Sequence, residues 1–75
     1  MTPQELLAAL GGRLGTDPPT DEERETLLAM AGVAAHASER WAAPLACWMA
    51  GRAGVAPDEA AAVVREITEG KVRPG

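Results

Sequence analysis

Apolar residues recur along this chain at helical spacing, in four runs separated by proline and glycine. Leu6, Leu7, Leu10 and Leu14 fall at offsets 0, 1, 4 and 8, which is one side of a helix. Leu27, Leu28, Ala31, Ala34 and Ala35 make a second stripe. Leu45, Trp48 and Met49 share a third face, with Arg52 one turn further on. Ala60, Val63, Val64 and Ile67 make the fourth. No run alternates apolar and polar residues as a strand does.

The punctuation between the runs sets their limits. Thr2-Pro3-Gln4-Glu5 and Thr20-Asp21-Glu22-Glu23 both read as capping boxes, in which threonine and glutamate satisfy each other's backbone N–H groups. Pro3 and Pro57 suit the first position of a helix. Pro44 marks the start or first turn of the third helix. Asp17-Pro18-Pro19 forbids helix, and Gly15, Gly54 and Gly70 suit left-handed caps. Gly11 and Gly12 weaken the first helix, but Leu14 keeps its stripe, so continuation to Leu14 is expected. Gly32 either weakens the second helix or admits a close backbone approach.

These signals predict an all-α, compact four-helix bundle-like domain with short loops over residues 1–70. Its helices span about 3–14, 20–39, 43–53 and 57–69, and residues 71–75 are expected to be a flexible tail. The pooled stripes would form the core, with Trp41 and Trp48 as its main space-fillers.

Length changes the picture, because 75 residues bury barely enough surface to balance the entropy of ordering the chain. Help is expected from a protein partner, a second copy in a homodimer, or tight helix packing. No disulfide contributes, since Cys47 is the single cysteine, and a lone thiol suits a cytoplasmic location. The longest apolar stretch, Trp41 to Ala50, contains Pro44 and is far short of the ~20 residues of a membrane span. Residues 1–10 lack the basic start and long apolar run of a signal peptide. A soluble protein with no membrane partner is therefore expected.

The formal charge of −4 and the scattered basic residues argue against a nucleic-acid partner. Phe and Tyr are absent, so no stacking platform for bases accompanies them. The acids gather at Asp17, Asp21, Glu22, Glu23 and Glu25, where they favour a helix start. The alternative for that cluster is a docking patch for a basic partner.

Candidate chemistry is sparse. His36 and Glu39 share a helix face and, with Cys47 from a neighbouring helix, sketch three metal ligands. The simpler reading is that His36 and Glu39 bond each other or cap the helix end. Cys47 lies between Ala46 and Trp48 on an apolar helix, which favours an inert thiol over a nucleophile. No glycine-rich phosphate loop follows a strand. No catalytic residue, metal ligand or cofactor is therefore assigned. Trp41, beside Glu39 and Arg40 at a helix junction, is the better candidate for an exposed anchor, because exposed Trp and Arg are typical of interface hot spots. The candidate partner surface comprises His36, Glu39, Arg40, Trp41, Pro44 and Leu45.

The segment His36–Gly54, HASERWAAPLACWMAGRAG, resembles a family of short all-helical actinobacterial proteins of unknown function, found near or fused to molybdenum-cofactor guanylyltransferases. His36, Arg40, Ala42, Ala43, Pro44 and Leu45 match that family's pattern. Trp41 stands where the family has proline, and Ala46 where it has threonine. In layout the resemblance runs over roughly residues 4–67. It implies an accessory or fusion module with no established active site.

Three functions follow in order of preference. The first is a small non-enzymatic accessory or protein-interaction module, linked through the resemblance to molybdenum-cofactor metabolism. The second is a small enzyme or cofactor-binding protein with a pocket around His36, Glu39, Cys47 and Trp48. The third is a self-associating structural protein.

Overall fold

The computed structural model describes residues 1–70, and over those residues the chain forms four α-helices and no strand. They are α1 (Pro3–Leu14), α2 (Asp21–Ala37), α3 (Ala42–Ala53) and α4 (Pro57–Thr68). The all-α, four-helix bundle-like class read from the sequence is the one observed. The tail expected over 71–75 lies outside the described residues.

Both capping boxes close. Glu5 N–H donates to Thr2 Oγ1 at 3.1 Å, and Thr2 N–H donates to Glu5 Oε1 at 2.7 Å. Glu23 and Thr20 repeat the exchange at 3.1 and 2.8 Å. Each such cap stabilises its helix by about 1 kcal/mol. α1 runs through Gly11 and Gly12 to Leu14 and ends at Gly15, whose φ of 74° is left-handed. α2 ends at Ala37, two residues short of the expected boundary, and the chain turns through Glu39–Trp41 into α3. There Ala42 N–H donates to Glu39 O and Ala43 N–H to Arg40 O. Pro44 sits in the first turn of α3, where its missing N–H forfeits no helical bond.

Gly11 has a particular task. The N–H groups of Gly15 and Thr16 both donate to its carbonyl, folding the loop back over the end of α1. A Cβ on Gly11 would stand 2.5 Å from Thr16 O and 3.4 Å from Pro18 Cδ. The missing side chain therefore permits a tight elbow between α1 and the following loop. Gly32 has no comparable role, since nothing lies within 4 Å of where its Cβ would be.

α2 is the central helix. It packs against α4 on one side and α3 on the other, whereas α1 is in extensive contact with neither α2, α3 nor α4. Met30 of α2 is fully buried between Ala60 and Ala61 of α4, with Leu27, Cys47, Ala50 and Val64 packed around them.

This core is thinner than the stripes predicted. Trp41 and Trp48 fill no space inside, since each is 63% exposed. Leu6, Leu7, Leu10 and Leu14 all stay exposed, as do Leu28, Leu45, Met49, Val63 and Ile67. The reason lies in α4, where Ala60 and Ala61 offer the edge that approaches α2 most closely around Met30. That approach leaves Val63 and Ile67 exposed and only Val64 half-buried.

Two outcomes follow. Met30→Ala empties the centre of the core and should cost about 2–5 kcal/mol in chemical denaturation, a large share of a domain this small. At α1, the Thr2 backbone N–H and then its side chain hold the Glu5 carboxyl below its ordinary value. A depressed folded-state value means the cap is fully present above the ordinary carboxylate range and is lost as pH falls through the depressed value. The Thr2 amide resonance should report this loss on acidification, and Glu5→Gln should flatten the response.

Candidate functional site

The turn between α2 and α3 delivers the side chains that the sequence singled out. Trp41 stands at the head of α3 with helical backbone angles, φ −70° and ψ −14°. Helical spacing then places Leu45 one turn on, Trp48 two turns on and Arg52 three turns on, all on one face. The face opposite Cys47 is not covered by α2, so Trp41, Leu45 and Trp48 stand open to solvent.

Two contacts hold this stripe in place. The Trp41 indole Nε1–H donates to Glu39 Oε2 across the turn. The Arg52 guanidinium lies 5.3 Å from the centre of the Trp48 ring, a cation–π pair worth about 0.5–1 kcal/mol at an exposed position. Both indoles thus have a local contact although neither is buried.

Beside the stripe, α3 and α4 diverge above α2 and leave an apolar groove of about 420 Å³. Met30 contributes to its lining, and Met49, Val63 and Ile67 are among its exposed members. Glu59 is the acidic residue in that lining. A second cleft of about 460 Å³, at Ser38 and Ala42, shares Ala46, Val64 and Ile67 with the groove.

The individual expectations sort as follows. Glu39, Arg40, Trp41, Pro44 and Leu45 fall together on the turn and the start of α3, all exposed. His36 is exposed in the last turn of α2, and the partner of Glu39 is Trp41. Cys47 is half-buried and packs on the Met30 cluster. Neither cleft is lined by His36, Glu39, Cys47 or Trp48. Among the described residues, no three His, Cys, Asp or Glu side chains are grouped to hold a metal ion. No helix among them is long and apolar enough to cross a membrane.

Sequence reasoning missed the exposed members of the groove, Met49, Val63 and Ile67. A signal was present in α3, which is apolar on nearly every side from Ala43 to Ala50. A single neighbouring helix can cover only one of those sides.

Fluorescence quenching by acrylamide should reach both tryptophans of the native protein almost as freely as in the unfolded chain. Glu39→Ala should broaden the Trp41 indole N–H resonance and leave that of Trp48 in place.

A family model described as Domain of unknown function (DUF6457) matches residues 2–74 of the chain. No curated protein and no solved structure matches it.

Proposed function

The chain belongs to that family of unknown function, and on this premise we propose that it is a cytoplasmic, non-enzymatic accessory module that docks a protein partner on the exposed face of α3. The observation that carries this reading is the row Trp41, Leu45 and Trp48, all exposed, with Arg52 against the second indole. Tryptophan and arginine supply a large share of interface binding energy, and these side chains are held in place before any partner arrives. The surface centres on Trp41 and Leu45, with His36, Glu39, Arg40 and Pro44 around them and Trp48 extending it along the helix.

The resemblance of the His36–Gly54 segment to actinobacterial proteins encoded beside or fused to molybdenum-cofactor guanylyltransferases supports that enzyme as the first partner to test. The half-buried, packed position of Cys47 supports the non-enzymatic part of the reading, because a nucleophilic thiol needs access and a base.

Calorimetric titration against the guanylyltransferase of the same host supplies the test. Binding should weaken at least ~30-fold in Trp48→Ala and in Trp41→Ala, the range of a hot-spot residue. Thermal stability should barely change, since neither side chain is in the core. Unaltered binding in both variants would refute the α3 surface, and no binding by the wild type would remove the molybdenum-cofactor assignment.

A further inference from the structure

Two unpartnered apolar features remain outside the α3 stripe. One is the leucine side of α1, where Leu6, Leu7, Leu10 and Leu14 are exposed on a helix that packs extensively on no other. The other is the groove between α3 and α4, with Met49, Val63 and Ile67 open to solvent. We infer that the two are halves of one interface: α1 of a second copy lies in the α3–α4 groove, and the exchange is reciprocal.

The dimensions agree. From Leu6 to Leu14 is eight residue steps, as it is from Glu59 to Ile67 along the groove wall. At a rise of about 1.5 Å per residue, each is about 12 Å long. The polarity is set by charge. Laid antiparallel to α4, α1 brings Arg13 to the groove end occupied by Glu59. The positive N-terminus of α1 then meets the negative C-terminal end of α4.

Within its own chain α1 is in extensive contact with no other helix, which leaves its leucine side to a second copy. Gly15 and Thr16 N–H groups are tied to the Gly11 carbonyl, and Pro18 closes over the same glycine. This fixes the exit direction of α1 from its loop. Reciprocal exchange gives a closed twofold dimer, with the same contact made twice.

Sedimentation and cross-linking test the inference together. The wild-type chain should sediment at twice 7.8 kDa. Leu10→Glu should raise the dimer dissociation constant at least ~100-fold while the helical spectrum of α2–α4 persists. In a Cys47→Ser background, Leu10→Cys protein mixed with Val63→Cys protein should form a disulfide between two chains on oxidation. A wild type that stays single at every accessible concentration would overturn the inference. So would a dimer indifferent to Leu10→Glu with no cross-link, which means another interface. A Leu10–Val63 cross-link confined to one chain in the double variant would assign the groove to the chain's own α1 and overturn it too. Trp41→Ala and Trp48→Ala leave α1 and the groove intact, so loss of partner binding and loss of dimer are read separately.

Discussion

The contact of Met30 with Ala60 and Ala61 holds α2 and α4 together, and most of the molecule's character follows from how small that contact is. Met30 is the large side chain that is fully buried among the described residues, and its neighbours across the interface end at Cβ. Alanine lets two helix backbones approach closely, and a flexible thioether fills the space left between them. Close approach on a narrow edge buries little apolar area. Burying one methionine contributes about 1.5–3 kcal/mol, so helix caps worth about 1 kcal/mol each matter here as they would not in a larger domain.

A narrow core has a second consequence. Aliphatic and aromatic side chains that a wider interface would cover remain outside, and they are not scattered. They lie on one face of α3, on one side of α1, and along the groove where α3 and α4 part. Single exposed apolar residues are ordinary on a soluble protein, whereas contiguous apolar strips mark places where other molecules bind. The exposed apolar strips and the thin core thus share one cause, which is the dominance of alanine at the positions that face α2.

The strips differ in how they are prepared. On α3, the two exposed indoles have local contacts, Trp41 with Glu39 and Trp48 with Arg52. On α1, the helix is fixed at both ends, by the Thr2–Glu5 box and by the Gly11 elbow, while Leu6, Leu7, Leu10 and Leu14 stay exposed. In both cases local bonds, satisfied within a few residues, hold apolar side chains in the open.

Local features were legible in the sequence for this reason. The Thr-x-x-Glu boxes, the prolines at helix starts and the left-handed glycines act through bonds three to five residues apart, so sequence neighbours contain all the needed information. They determined four helices and their approximate limits. Periodicity also showed which side of each helix is apolar. It could not show which apolar sides meet, because that depends on the closest approach between helices distant in sequence. Tertiary structure decided that Ala60 and Ala61 face Met30 and that Trp48, Val63 and Ile67 stay exposed. It also decided that α1 stands apart from the others, since packing energy is shared out by shape between elements and is not written in any one of them.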